Sequence, residues 1–404
     1  MKRIIILCDG TWNAADMPHP TNVVRLARGL MPVDVNDVAQ VPIYVPGVGT
    51  GRRGVTRLSR LTDRLLGGLM GLGLMQNVTE AYLHLVFLYE PGDEIYVFGF
   101  SRGAFTARSL TGLIRSSGIL SRSTLHLLPE VVDRYRSHDP ATHPKTEESA
   151  AFRARVSPWL LTSEADRDAY ADAGHPDAML LQLAFLGVWD SVGSLGIPSR
   201  FGVAKLWNDK FRFHDATLSS IVVSARHAVA LDERRREFEP TLWTNLDALN
   251  AGANPDDPPY QERFFAGDHG SVGGGGEIVD LSSIALTWVM EGAAARGLAF
   301  DAGLVAEIAA QGYPMGPLTN AKVPKGGWPA KLLKKLGRDR EGPAAIAGLH
   351  GSVLDRWAFE SKEGEKPPHG SWPYRPRGLS RIERDLKAWQ DARLAEPPGE
   401  TRIT

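Results

Sequence analysis

The chain has 404 residues, enough for one elaborated domain or two, with 43% hydrophobic and 23% charged residues, values that are ordinary for a globular protein. The formal net charge of -1 gives no overall attraction to nucleic acid or to another acidic polymer. The single cysteine, Cys8, excludes an intrachain disulfide. The first apolar run is too short for a signal peptide, and no run approaches the roughly 18 apolar residues of a membrane span. We therefore expect a cytoplasmic protein without a transmembrane segment, with signal-independent export as the alternative.

The first hundred residues alternate between strand-like and helix-like segments. Residues 2–8 and 41–45 are rich in β-branched side chains, and each run ends in a turn that contains glycine. Residues 21–30 and 77–89 have apolar side chains at helical spacing. This alternation predicts an α/β fold with a mostly parallel, doubly wound sheet.

The strongest local pattern is a G-x-S-x-G motif over residues 99–103. An apolar run leads into the motif and helix-forming residues follow it to position 113, which is the strand, sharp turn and helix context of a nucleophile elbow. In that context Ser101 stands above the sheet, and the amide of Arg102 points toward a developing oxyanion. The alternative is an ordinary turn in which the serine caps the helix.

The chain beyond the elbow is more varied. We interpret residues 136–180 as a helical insertion that could cap the site, because the segment is polar and rich in helix formers. A strand is predicted over 181–188, a helix over 219–231 and a loop over 271–276. A further helix is predicted over 281–291.

The last eighty or so residues are rich in proline, glycine and lysine and show few strong patterns. We therefore divide the chain into a catalytic domain, residues 1–300, and an irregular C-terminal extension, residues 301–404, packed on it. Residues 325–340 combine basic side chains with leucines. This is usually a solvated helix face, and it is also typical of a helix that makes transient contact with a membrane surface.

Three residues that follow apolar runs form a candidate catalytic triad. Ser101, Asp190 and His269 each lie where such a run meets a glycine-containing turn, and they occur in the order found in sheet hydrolases. A serine hydroxyl needs a histidine to take its proton, and the histidine needs a carboxylate to fix its tautomer. We therefore predict a serine hydrolase that cleaves small-molecule or lipid esters without a metal or an organic cofactor. Among the 11 histidines, His227 is the main rival to His269, although a structural role in the core is the simpler interpretation of it.

The predicted oxyanion hole needs a second amide besides that of Arg102. The turn after the first strand offers Gly10 or Thr11, because small residues let backbone approach a substrate. Asp9 either orients this turn or serves ordinary turn chemistry.

Two further residues are candidates for contact with substrate or for support of the triad. Arg108 follows the serine on the elbow helix and could meet an anionic group, as could Arg102; ion pairing within the domain is the alternative. Asp268 precedes His269 and is either a supporting acid or a solvated loop residue.

Several stretches taken together resemble a known family. They are LCDGTWN (7–13), PGVGT (46–50), GDEI (92–95), GFSRGAFTAR (99–108), GVWDSVG (187–193), ARHAVALDERR (225–235) and HGSVGGG (269–275). They resemble a bacterial and fungal family of uncharacterised α/β hydrolases that includes the catalytic domain of type VI secretion phospholipase effectors. The resemblance implies an α/β-hydrolase fold, Ser101 as nucleophile with Asp190 and His269 as partners, and esterase or lipase chemistry.

One departure from the family pattern bears on function. The family loop reads His-x-Asp-Val-Gly-Gly-Gly, whereas Ser271 stands here in place of the acid, and Asp268 is the candidate to compensate. This leaves two alternatives to an esterase. One is a binding or regulatory module that kept the fold and lost the chemistry. The other, less favoured, is a phosphotransferase with Asp9 as nucleophile.

Overall fold

A computed structural model describes residues 1–11, 13–47, 67–193, 217–320, 337–359 and 372–395, with the backbone alone for 67–72. The strands are β1 Arg3–Cys8, β2 Gln40–Val45, β3 Glu94–Phe100, β4 Leu160–Leu161, β5 Met179–Leu180, β6 Leu183–Trp189, β7 Ala225–Ala230 and β8 Tyr260–Phe265. Six of them form one sheet in the order β2-β1-β3-β6-β7-β8, and every neighbouring pair is parallel. Strands β4 and β5 pair separately.

Helices connect the strands and cover the sheet. The α-helices are α1 Asn22–Gly29, α2 Gly67–Leu88, α3 Arg102–Ser117, α4 Leu128–Tyr135, α5 Glu147–Val156, α6 Arg167–Asp172, α7 Leu246–Leu249, α8 His269–Gly273, α9 Asp280–Ala294, α10 Ala302–Gln311, α11 Gly351–Ala358 and α12 Glu383–Ala395. Within the described residues no helix has the length and apolar character needed to cross a bilayer.

Strand β1 shows why the sheet is covered on both faces. All six of its residues are buried, and they form a continuous apolar run apart from Arg3, which is the pattern of a strand inside a parallel sheet. Ile4 and Ile6 pack in a core with α2 and α3, whereas Ile5 and Leu7 pack in a second core with α1 and α9. The predicted doubly wound α/β-hydrolase fold is confirmed.

The order of the strands places the site. From β1 the chain goes to β2 on one side and then crosses to β3 on the other side of β1. The direction in which strands are added therefore switches between β1 and β3. In open α/β sheets, the crevice outside the carboxyl ends of strands at such a switch is where ligands bind. The register pairs Cys8 with Gly99 and Phe100 with Trp189, so the turns after β1, β3 and β6 leave the sheet side by side.

Two predicted elements are wrong. Residues 225–230 form strand β7 and not part of a helix over 219–231. The strand lies between β6 and β8, and its alanine-rich sequence shows neither the alternation of a half-exposed strand nor enough β-branched residues to reveal it. The predicted loop over 271–276 begins inside α8, a short helix that Asp268 caps through a bond from the Ser271 amide.

The C-terminal segments pack against the far end of the sheet. Val353 and Trp357 of α11, together with Tyr374 and Leu386, share an apolar cluster with Phe264 of β8. Of the basic stretch 325–340, residues 325–336 lie outside the described residues.

The segment 136–180, predicted as an insertion, packs near the carboxyl end of α3, the end remote from Ser101. Side-chain hydrogen bonds from Ser157 and Thr162 reach backbone carbonyls there.

Candidate active site

Ser101 lies on a strained turn between β3 and α3. Its backbone has φ 59° and ψ -123°. Residues other than glycine rarely adopt this conformation, and it is typical of functional sites when they do. The two motif glycines allow the turn. A Cβ on Gly99 would lie 2.4 Å from the Gly103 carbonyl oxygen, and a Cβ on Gly103 would lie 2.2 Å from the Cys8 carbonyl oxygen. Backbone therefore packs on backbone at the positions where the motif requires glycine.

Hydrogen bonds join the three predicted triad residues. His269 Nε2 lies 2.8 Å from Ser101 Oγ, and His269 Nδ1 lies 2.6 Å from Asp190 Oδ2. All three side chains belong to buried residues. In the resting arrangement the serine hydroxyl donates to Nε2, and Nδ1 donates to the carboxylate, which is the geometry of a nucleophile with its base and the group that orients the base.

Asp190 follows the end of β6 and is fully buried. Its Oδ1 accepts the Ala230 amide at 2.9 Å and an Arg340 N–H at 2.7 Å, while Oδ2 accepts a second Arg340 N–H at 3.0 Å. Burial alone raises the pKa of a carboxyl, but the charge of Arg340 and the bond from His269 hold the pKa of Asp190 below its usual range. The carboxylate is therefore ionised and held at both oxygens.

Two aromatic rings hold the imidazole of His269. The ring centroids of Phe100 and Phe238 each lie 4.6 Å from that of His269. The His269 amide also donates to Glu233 Oε2 at 3.3 Å. Against the effect of burial, bonds from Arg235 hold the pKa of Glu233 below its usual range. The histidine thus has little freedom to turn away from Ser101.

Asp268, the residue before the histidine, is a helix cap. Its Oδ1 accepts the Ser271 amide and hydroxyl, both at 2.9 Å. Burial raises the pKa of Asp268, and these bonds act against that effect. Asp268 and Ser271 therefore hold α8 in place. At position 271, where the family pattern has an acid, this chain has a serine that bonds to the preceding acid, Asp268.

The turn after β1 lies beside the predicted nucleophile, since a Cβ on Gly10 would lie 3.3 Å from Ser101 Cβ. The Gly10 amide donates to Asp9 Oδ1 at 2.7 Å, so it is engaged within the turn. Of the two predicted donors this leaves the Thr11 amide as the stronger candidate. The Arg102 amide opens α3, where the first N–H groups of a helix lack acceptors in a preceding turn.

Asp9 itself is held by three donors. Besides the Gly10 amide, it accepts the Thr21 hydroxyl at 2.9 Å and the Tyr44 hydroxyl at 2.8 Å. Burial raises the pKa of Asp9 against the effect of these bonds. Both carboxylate oxygens are therefore turned inward, which favours a role in orienting the turn.

His227 and Arg108 have contacts away from Ser101. His227 Nδ1 lies 2.8 Å from Glu262 Oε2, and its Nε2 accepts the Ser191 amide at 3.1 Å, so it supports the turn that follows Asp190. Arg108 donates to the Thr241 carbonyl and lies over the Trp243 ring. It also lines a cavity of about 410 Å³ beside α3.

Sequence reasoning missed several groups around the triad. Arg340 is the clearest, because the basic stretch that ends with it suggested a solvated face, whereas its side chain is buried on Asp190; that interpretation is wrong for this residue. Asp232 anchors the Gly267 amide at 2.7 Å and accepts the Tyr374 hydroxyl at 2.8 Å. The motif 225–235 was a signal for Asp232 and Glu233, since it contains both, but no pattern singled out Tyr374.

Comparison with known families shows to which family this chain belongs. The model of the family described as "T6SS, Phospholipase effector Tle1-like, catalytic domain" matches residues 2–292. The chain belongs to this family. The match to the Tle1-like catalytic domain includes Ser101, Asp190 and His269 and ends before Arg340.

Individual relatives of this Tle1-like chain are distant. It is 31% identical over 253 residues to "Uncharacterized protein YEL023C" of Saccharomyces cerevisiae (strain ATCC 204508 / S288c), which is 61% of this chain and 33% of the yeast protein. The chain therefore spans about a third of the length of that relative.

Solved structures are more distant still. An uncharacterized protein from Pseudomonas aeruginosa matches with 14% identity and a TM-score of 0.41, over 98% of this chain and 60% of the other. The Tle1 effector bound to the VgrG spike of the type VI secretion system matches with 17% identity and a TM-score of 0.31, over 69% of this chain and 52% of the other.

Proposed function

We propose that this protein is a serine hydrolase that cleaves carboxylic esters, and that its substrates are lipid esters, phospholipids among them. The observation that carries the proposal is the unbroken line of hydrogen bonds from Ser101 through His269 to Asp190, with Ser101 on a strained elbow. Membership in a family named for phospholipase effectors supports the lipid part of the proposal.

The reaction proceeds in two halves. Ser101 Oγ attacks the ester carbonyl carbon while its proton passes to His269 Nε2, and the amides of Arg102 and Thr11 donate to the oxyanion. His269 then gives that proton to the leaving alcohol, which leaves the acyl group on Ser101. A water molecule gives its proton to His269 and attacks the acyl carbon. The acid departs as His269 returns the proton to Ser101. Asp190 keeps Nδ1 protonated throughout and stabilises the imidazolium.

The test compares two serine variants of the same helix region. Ser101→Ala should lower the hydrolysis of short p-nitrophenyl esters by about 10³-fold or more and abolish labelling by a fluorophosphonate probe. Ser117→Ala is the matched control: Ser117 is buried at the end of α3, and within the described residues its hydroxyl has no hydrogen-bond partner. It should keep full activity and labelling. Undiminished turnover by folded Ser101→Ala would refute the proposal.

The lipid part is tested separately with the same wild-type and Ser101→Ala proteins. Wild type should release fatty acid from vesicles of phosphatidylcholine, and the variant should not. Hydrolysis of soluble esters without release from vesicles would limit the substrates to non-membrane esters.

The alternatives give different results in the same assays. A binding module on this fold would be folded but would not label with the fluorophosphonate. A phosphotransferase that used Asp9 would need magnesium, so ester hydrolysis that persists in EDTA distinguishes the two enzymes.

A location in the cytoplasm is part of our proposal, and fractionation of cells that express the native protein tests it.

A further inference from the structure

A cation from outside the family match reaches the triad. Arg340 lies beyond residue 292, where that match ends, and its side chain is buried against fully buried Asp190. One guanidinium nitrogen lies 2.7 Å from Asp190 Oδ1 and the other lies 3.0 Å from Oδ2. The guanidinium therefore makes a bidentate contact with both carboxylate oxygens, a geometry that fixes the plane of the carboxylate.

The guanidinium is itself anchored by two backbone carbonyls. The nitrogen on Oδ1 also donates to the Ala230 carbonyl at 2.6 Å, and the nitrogen on Oδ2 also donates to the Phe238 carbonyl. Ala230 ends β7 and its amide donates to Asp190, while the ring of Phe238 packs on His269. Arg340 thus connects the carboxylate to the residues that hold both ends of the Asp190–His269 pair.

We propose that Arg340 is a positioning residue of the active site: it fixes the carboxylate of Asp190 for His269 and offsets part of its negative charge. This inference rests on the proposed function, since it assigns Arg340 to the same triad. It also means that the working catalytic unit extends into the C-terminal segment, beyond the residues that the family model covers.

The charged groups around His269 define what Arg340 changes. Asp190 faces its Nδ1, Glu233 faces its amide from the segment after β7, and Asp268 precedes it at the start of α8. Arg235 is paired with Glu233 at 2.6 Å, and Arg340 is paired with Asp190. Removal of Arg340 leaves the negative charge of Asp190 uncompensated beside the imidazole, which favours the imidazolium.

The prediction concerns the pH profile. A protonated imidazole cannot act as base, so the acid limb of kcat/KM in Arg340→Gln should move upward by about one pH unit. The value of kcat/KM at the pH optimum should fall by about tenfold or more, because the base loses part of its support. Arg340→Lys keeps the positive charge but cannot bond both carboxylate oxygens as the guanidinium does. It should therefore lower kcat without shifting the acid limb of kcat/KM.

A second buried arginine provides the matched control. Arg153 also pairs through two nitrogens with a buried aspartate: its Nε lies 3.0 Å from Asp166 Oδ2 and its Nη2 lies 2.8 Å from Oδ1, in a segment that packs away from Ser101. Arg153→Gln should destabilise the fold, yet its active sites, counted by fluorophosphonate titration, should keep the wild-type kcat and acid limb.

Two outcomes would overturn the inference. One is an acid limb in Arg340→Gln that coincides with that of wild type while only the fraction of active sites falls, which is the signature of a purely structural arginine. The other, decisive if Arg340→Gln does not fold, is an Arg340→Lys variant with wild-type kcat per active site.

A measurement without turnover separates this inference from the proposed function. The ring signals of His269, assigned by their loss in His269→Asn, are titrated by NMR in wild type and in Arg340→Gln. The midpoint should rise by about one unit, and an unchanged midpoint contradicts the role of Arg340 even in a protein that hydrolyses no ester. Hydrolysis that persists in Ser101→Ala refutes the proposed function and leaves this result standing.

Discussion

The Tyr44 hydroxyl donates to Asp9 Oδ2 at 2.8 Å and ties the turn after β1 to the neighbouring strand β2. Asp9 passes this restraint to the Gly10 amide through its other oxygen. The backbone that leads to Thr11 is therefore fixed by a buried side chain whose two carboxylate oxygens are both hydrogen-bonded.

This relationship predicts a graded effect of Asp9→Asn. The amide oxygen of asparagine still accepts the Gly10 N–H but binds it less strongly than a carboxylate does, so kcat for ester hydrolysis should fall by about tenfold with KM little changed. Tyr44→Phe is the companion variant and should cost about 1.5–3 kcal/mol of stability, since it removes a hydrogen bond to a charged group. A complete loss of turnover in folded Asp9→Asn would instead favour Asp9 as a nucleophile.

Gly103→Ala should be among the most destabilising substitutions in the elbow. The added Cβ would lie 2.2 Å from the Cys8 carbonyl oxygen and 2.4 Å from that of Asp9, and backbone cannot yield as a side chain can. We expect a loss of about 3 kcal/mol or more in urea unfolding. Gly351→Ala, where a Cβ would meet nothing within 4 Å, should change stability by less than about 1 kcal/mol. Equal stability of the two variants would contradict the packing of the elbow.

The two histidine candidates should separate kinetically. His269→Gln should lower kcat by about 10³-fold or more, because the base is lost. His227→Gln removes a buried hydrogen bond to the Glu262 carboxylate and should cost about 1.5–3 kcal/mol of stability, while folded enzyme keeps kcat within about tenfold of wild type. The reverse ranking of kcat would make His227 the base.

The free energy of unfolding should change with pH as Asp232 titrates. Burial raises the pKa of Asp232 to about 6, whereas an unfolded aspartate titrates near about 3.9. The folded state therefore binds more protons in this window, and this group makes the protein less stable as pH rises from about 4 to about 6. Asp232→Asn removes that cost, so its stability relative to wild type should rise by about 2 kcal/mol between pH 4 and pH 7.

Urea unfolding at several pH values measures this effect. Asp256→Asn, a change in an exposed loop, serves as the control and should run parallel to wild type. A constant difference between Asp232→Asn and wild type across the window would show that burial does not hold the proton on Asp232.

Much of the site could be predicted because it depends on local patterns. Each triad residue follows the apolar end of a strand, and parallel strands bring their carboxyl ends to one edge of the sheet, so the pattern predicts their proximity. The geometry brings Ser101, Asp190 and His269 within hydrogen-bond distance of one another. Their catalytic roles stay a prediction until the variants are measured.

The parts that could not be predicted depend on contacts remote in sequence. Strand β7 has the local composition of a helix and becomes a strand because β6 and β8 pair with it on both sides. Arg340 belongs to a basic stretch whose pattern describes solvated surface, and only the packing of the C-terminal segment brings it to Asp190. The sequence pattern also predicts the Gly10 amide as an oxyanion donor, but in the structure this N–H donates to the side chain of Asp9.

The position of β1 between β2 and β3 has a consequence for how the protein is made. Strand β1 is synthesised before the other strands of this sheet but lies in its interior, and one of its edges has no partner until residues 94–100 have been synthesised. An apolar, unpaired strand edge is a site of mispairing between chains. Slower translation before β3 lengthens the interval in which this edge is unpaired and should therefore lower the yield of folded protein.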